Sequence, residues 1–140
     1  MEPSVLAAQV HWGRGGSGMP IDEMFAPGAS PEMELPLRAH HQDRDGALGA
    51  APLGRGLALV NTEWRRRLVR RAWVQGGVVL FYDAGWVSRG PSQSDQHHSL
   101  HDVGMGIRLG FVGSSILRFD FGHSFSDGKN AFSFGLNQIF

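Results

Sequence analysis

The sequence contains no cysteine. Disulfides, thiolate metal sites and cysteine nucleophiles are therefore excluded. It also lacks a G-x-S-x-G motif, the sharp turn that presents the nucleophile of many serine hydrolases. With these features missing, we expect no enzyme activity and no cofactor.

Neither sign of charge predominates, because 13 basic residues balance 13 acidic ones. No global field therefore favours a nucleic-acid partner. No apolar run is long enough for a membrane-spanning helix, and the mean hydropathy is -0.19. The first residues, MEPSVLAAQVHW, lack the basic leader and apolar stretch of a signal peptide, so we expect an exported parent chain to supply one upstream.

Apolar residues alternate with small or charged ones through much of the chain. From Val103 to Phe111 every second residue is large and apolar, with glycine or arginine between. The period recurs from Leu117 to Phe121 and from Phe132 onward, and less regularly over Leu57–Leu68 and Val74–Trp86. A period of two is that of a β-strand with one apolar face.

These stretches predict an all-β chain, an antiparallel transmembrane β-barrel segment of about six strands. Residues 1–12 would form a weak first strand, 13–56 a long extracellular loop folding toward the lumen, and 57–140 five C-terminal barrel strands. A spanning barrel needs about eight strands or more, so the segment is incomplete. We expect outer-membrane lipid as one partner, and the remainder of a longer barrel or other chains as another.

The alternative is a soluble antiparallel β-barrel or sandwich that binds a ligand. Its apolar positions would face an interior core instead of lipid. Its charged residues on the opposite face, such as Arg108, Arg118 and Asp120, would then face solvent.

Two other patterns have simpler interpretations than a binding site. The string GRGGSG at Gly13–Gly18 has the spacing of a dinucleotide-binding motif, but Pro20 follows and no helical pattern opens there. The histidine pairs His40-His41 and His97-His98 are neighbours on an extended backbone, where adjacent side chains point in opposite directions. We therefore expect solvated loops and no metal site.

Arginine and tryptophan lie together in WRRRLVRR, Trp64 to Arg71. At a strand end, this composition favours arginines that reach a membrane interface beside an interfacial tryptophan. Contact with nucleic acid is the less favoured interpretation.

Asp83 lies in the strongly strand-forming stretch FYDAGWV, where a carboxylate needs a partner or water. It shares a face with Gln75, Gly77 and Gly85, and therefore points to the lumen of the predicted barrel. Arg38, in the most apolar part of the long loop, is a candidate bidentate partner. A solvated Asp83 at a strand end is the alternative.

Several motifs together resemble the C-terminal half-barrel of the BamA-type outer-membrane superfamily, also called the bacterial surface antigen family. DEMFAPGASPEMELPLRAHH is similar to the family's long loop, and LALVNTEWRRRL, with Glu63, to the strand that follows. VVLFYDAGWV resembles its phenylalanine-x-aspartate-x-glycine strand, and GMGIRLGF and ILRFDFG resemble later strands. Ala39 and His40 depart from the pattern, because glycine and an aromatic residue are usual there.

The resemblance implies a bacterial outer-membrane protein that inserts or exports client outer-membrane or secreted proteins, with no chemical step. Both assembly factors and secretion transporters belong to the family. It also implies a lock between loop and lumen, in which Arg38 bonds to Asp83 with Glu63 beside it and Gly85 completes the strand motif.

The terminal sequence SFGLNQIF resembles the sorting signal of outer-membrane barrels. Ser133, Gly135 and the terminal Phe140 fit that signal, whereas Gln138 stands where an apolar residue is usual. A plain final strand is the alternative.

Overall fold

The structure is a computed structural model that describes residues 4–29, 37–41, 43–44, 47–48, 52–88, 97–111 and 116–136. In chain order its strands are β1 Ser4–Arg14, β2 Gly28–Ala29, β3 Leu37–His41, β4 Asp43–Arg44, β5 Ala47–Leu48, β6 Gly56–Arg70, β7 Val74–Ser88, β8 His97–Phe111, β9 Ile116–Ser124 and β10 Asn130–Leu136. A three-residue 3-10 helix, Ile21–Glu23, precedes β2. Among the described residues, no helix has the length and apolar character needed to span a membrane.

The main sheet has six strands in the order β1-β6-β7-β8-β9-β10, and every neighbouring pair is antiparallel. Within the described residues β1 and β10 remain edges, so the sheet does not close. The predicted all-β, antiparallel segment of about six strands is confirmed. Its first strand ends at Arg14, two residues beyond the expected end, and β6 begins at Gly56, one residue before the expected start.

The register divides the sheet into two faces. Asn61, Asp83, Asp102 and Ser124 are consecutive partners across four strands and define the inner face. The outer face carries the large alternating side chains, and many are exposed: Leu6, Val10, Trp12, Leu80, Tyr82, Trp86, Met105, Ile107, Phe121, Phe132, Phe134 and Leu136.

A β-bulge interrupts the alternation of β6. Arg67 is opposite Gly77 and Val69 is opposite Gly76, so Leu68 is the extra residue. The alternation that the sequence predicts over Leu57–Leu68 therefore ends at Arg67. The turn after β9 follows the Asp127-Gly128 sequence, and Gly128 has a φ of 69°, a conformation that glycine adopts readily.

β3 lies on the inner face and contacts β7, β8, β9 and β10. Its first residue, Leu37, joins a small apolar cluster at the end of the sheet where β6 begins. The other members are inner-face residues, with Phe25 packed against them: Leu57, Leu59, Val87 and Leu100. This cluster anchors the start of β3 beside the polar residues of the inner face.

Candidate functional site

Four carboxylates lie on the inner face, one on each of four neighbouring strands. They are Glu63, Asp83, Asp102 and Asp120, and each is at most 1% exposed. They are also all the acidic residues that the described strands of the main sheet contain. A buried carboxylate is strongly destabilising unless it is paired or hydrogen-bonded, so each one requires a cation or a donor nearby.

Arg38 of β3 is the cation that pairs with two of these carboxylates. Its Nε donates to Asp83 Oδ2 at 2.7 Å and its Nη2 to Asp83 Oδ1 at 2.6 Å, a bidentate pair. Its Nη1 donates to Glu63. Asn61 Nδ2 donates to Asp83 Oδ1 at 2.9 Å. The structure therefore brings the three predicted lock residues into direct contact, and the solvated alternative for Asp83 is wrong.

The face of Phe81 lies beneath the Arg38 guanidinium, with 3.7 Å from Arg38 Cζ to the ring centroid. The ring and cation attract each other more strongly in a desolvated site than in water. From the sequence, Phe81 and Val79 only disturb the alternation of β7. In the structure both are buried on the inner face, and Phe81 supports the guanidinium of Arg38.

The ion pairs continue from Glu63 toward β9. Arg65 Nε donates to Glu63 Oε2 at 2.7 Å, and Arg108 Nη2 lies 3.5 Å from Glu63 Oε1. Arg108 Nη1 also donates to Asp120 Oδ1 at 2.6 Å. Arg118 Nε lies 3.3 Å from Asp120 Oδ2. The cluster therefore links β6, β8 and β9 through charged side chains as well as backbone bonds.

Burial alone would lower the pKa of the Arg38 guanidinium. The hydrogen bond and negative charge of Asp83, followed by the charge of Glu63, outweigh burial and raise that pKa above its ordinary value. Arg38 is therefore a permanent cation inside this cluster.

The two departures from the family motif have specific surroundings. The backbone N–H of Ala39 donates to Asp102 Oδ2 at 2.7 Å. The ring Nδ1 of His40 lies 2.8 Å from Asp102 Oδ1, and its Nε2 is 3.2 Å from Ser124 Oγ. His40 thus occupies a polar niche, which an apolar aromatic ring would leave without hydrogen bonds.

Ser124, His40 and Asp102 follow the order of a hydrolase triad, yet the arrangement does not support catalysis. Ser124 is 0% exposed, so a substrate has no access to its hydroxyl. That hydroxyl also accepts a bond from the Ser126 backbone N–H at 3.2 Å. We interpret the three residues as the contact that holds β3 against β8 and β9.

Two glycines provide the space in which β3 lies. A Cβ at Gly85 would be 2.9 Å from Leu37 Cδ1, and a Cβ at Gly122 would be 3.2 Å from the Cβ of Ala39. Gly85 is the glycine of the phenylalanine-x-aspartate-x-glycine strand motif. The role of Gly122 could be recognised only from the position of β3 in the structure.

The C-terminal signal lies partly outside the described residues. Ser133 and Gly135 are on the inner face of β10, opposite Asp120 and Arg118. A Cβ at Gly135 would be 3.0 Å from Arg118 Nη2, so this glycine leaves room for the guanidinium. Phe140 and Gln138 lie outside the described residues.

In the part of the chain that the structure describes, no three or more histidine, aspartate or glutamate side chains are grouped to hold a metal ion. His101 instead contacts Tyr82, whose hydroxyl is 2.8 Å from its Nδ1.

No protein-family model matches this sequence, no curated protein is significantly similar to it, and no solved structure significantly matches its fold. Assignment to the bacterial surface antigen family therefore stays a prediction that rests on the motifs.

Proposed function

We propose that this chain is the C-terminal part of a bacterial outer-membrane β-barrel that inserts or exports client proteins without a chemical step. The observation that carries the proposal is the inverted distribution of side chains. Carboxylates and their arginines are buried on the inner face, whereas large apolar residues are exposed on the outer face. A soluble sheet buries its apolar face, so this distribution favours a lipid environment.

The spacing of interfacial residues supports the same proposal. β1 contains Trp12 and Arg14, and β6 contains Trp64 and Arg66 at the opposite end of the outer face. The register separates the rows of Arg14 and Arg66 by ten residues. Ten residues span roughly 33 Å along a strand, which a tilt of about 40° projects onto roughly 25 Å, the height of the apolar band of such barrels.

The assignment to protein insertion or export rests on the ordered motifs. The contact between Arg38, Asp83 and Glu63 supports it, because the resemblance implies a loop held inside the barrel by these residues.

The membrane orientation can be tested with adjacent residues of β10. Because the chain has no cysteine, Phe134→Cys or Ser133→Cys creates a unique thiol for a spin label. In lipid vesicles, the label at 134 should be relaxed by apolar oxygen and the label at 133 should not. Water exposure at 134, or lipid contact at 133, would contradict the proposed orientation.

Client transport requires a cellular test. Deletion of the gene that encodes the chain should lower the amount of other outer-membrane barrels, measured in the membrane, or the amount of a secreted protein, measured in the medium. Unchanged amounts of both would contradict transport and leave the barrel assignment intact.

A further inference from the structure

A groove crosses the outer face at the end of the sheet where β6 begins. Its walls are Trp12 on β1 and Trp86 on β7, and the register places Ala58 of β6 between them. The small alanine leaves the two indoles apart, and the groove has a volume of about 400 Å³. It is large enough for the polar head of a lipid.

The end of the groove is basic. Arg14 and His97 lie in the next row outward, with Gly56 and Ser88 between them. Both Arg14 and His97 are exposed. All the carboxylates of the described main-sheet strands are on the inner face, so none on these strands opposes Arg14 from the outer face. The groove therefore complements an anion, and guanidinium binds phosphate oxygens in bidentate geometry.

The other end of the groove is continuous with apolar surface. The adjacent row holds Val10 and Val60, and Tyr82 and Val103 lie in the row beyond. Val10 is 69% exposed, so this surface is available to an acyl chain. A ligand that fits both ends has an anionic head and an apolar tail.

We propose that this groove binds the phosphate-bearing headgroup of an anionic lipid. The phosphate lies at Arg14 and His97, the headgroup lies between Trp12 and Trp86, and the acyl chain extends over Val10 and Val60. Indole rings favour this interfacial depth because they have an apolar body and a polar N–H. The inference rests on the proposed function, because it requires the outer face to meet lipid.

The test uses the full chain in phosphatidylcholine vesicles that contain phosphatidylglycerol. Trp64→Phe and Trp73→Phe leave Trp12 and Trp86 as the fluorophores. Bromine on the acyl chains of either lipid quenches a nearby indole. We expect stronger quenching by brominated phosphatidylglycerol than by the same fraction of brominated phosphatidylcholine.

Two variants locate the preference in the groove. Arg14→Gln should reduce the enrichment of the anionic lipid about fivefold, the equivalent of about 1 kcal/mol for one basic residue at an anionic surface. Ala58→Leu should also reduce it, because it fills the floor between the indoles without changing the charge. Arg66→Gln, which removes the same charge at the opposite end, is the control and should leave the enrichment unchanged.

The possible failures can be distinguished. Equal quenching by the two brominated lipids overturns the headgroup site and leaves the membrane proposal intact. No quenching by either lipid overturns the membrane proposal as well. If the two brominated lipids quench equally and inorganic phosphate alone changes the indole fluorescence, the groove takes free phosphate and the lipid assignment is overturned.

Discussion

Asp83 has several independent donors, and this explains how a carboxylate tolerates complete burial. Two nitrogens of Arg38 and the amide of Asn61 donate to its oxygens. Arg38 in turn depends on Asp83, because without this carboxylate its guanidinium would be a buried cation paired with Glu63 alone. Removal of one partner from such a pair typically costs about 3 to 5 kcal/mol, compared with about 0 to 1 kcal/mol for a surface pair.

Asp83→Asn should therefore release the loop from the inner face. The amide keeps the shape of the carboxylate but removes its charge and one acceptor oxygen. We expect new protease cleavage between Arg38 and Arg55, detected by mass spectrometry of the digested chain in vesicles. Asp22→Asn, at an exposed site in the 3-10 helix, is the control. Wild-type cleavage in Asp83→Asn would show that the contact does not hold the loop.

Individual residues differ in how far the sequence could predict them. The face of Asp83 follows from strand alternation, and its pairing with Arg38 follows from charge and resemblance. The role of Phe81 could not be predicted in this way, because an aromatic residue on a polar face has meaning only once the guanidinium lies over it. Asp102 and Ser124 were missed because their partner, His40, is distant in the chain.

At the scale of the element, β3 illustrates how a segment can cross a sheet without adding to it. A crossing strand cannot join the ladder, so its backbone N–H groups need other acceptors. Asp102 accepts the N–H of Ala39, and Asp83 lies 3.4 Å from the N of Arg38. At Arg38 and Ala39, side-chain carboxylates therefore take the place of main-sheet carbonyl groups, whereas the N–H of Leu37 donates to the carbonyl of Pro27 beside β2 at 3.1 Å.

The fit between β3 and β9 leads to a compensation test. Gly122→Ala should destabilise the docked segment by about 1 kcal/mol, the lower range for overpacking, because its Cβ would press on Ala39. Ala39→Gly should restore part of this loss in the double variant. Urea unfolding in micelles measures both values.

Gly110→Ala is the matched control, because its Cβ would meet its nearest atom only at 3.7 Å. Additive effects of Gly122→Ala and Ala39→Gly would mean that the two residues do not press on each other.

Elements of regular alternation were the most predictable part of the fold. β8, β9 and β10 follow the sequence period because both faces are distinct in size and charge. The bulge at Leu68 and the path of β3 were not predictable, because strand pairing and packing across the sheet determine them. Neither depends on a local sequence pattern.

For the whole molecule, the two edges of the sheet are the main constraint. Unpaired N–H and C=O groups on β1 and β10 would lie in lipid if the described sheet stood alone, where water cannot satisfy them. The chain in vesicles should therefore form oligomers, which cross-linking and gel electrophoresis can count. A stable monomer in lipid would contradict the membrane assignment, because a single chain leaves the backbone groups of both edges without partners in lipid. In a soluble fold, water can hydrogen-bond to the same edges.

Successive residues of β3 contact successive strands, and this has a consequence for the order of folding. Arg38 bonds to a residue 45 positions away, Ala39 to one 63 away and His40 to one 84 away. Loop closure costs only about 0.6 kcal/mol more for each doubling of loop length, so later contacts add little entropic cost to the first. Docking should thus proceed from Arg38 to His40 as β7, β8 and β9 join the sheet. During folding, the amide protons of β3 that become protected from hydrogen exchange last should therefore belong to the residues that contact β9.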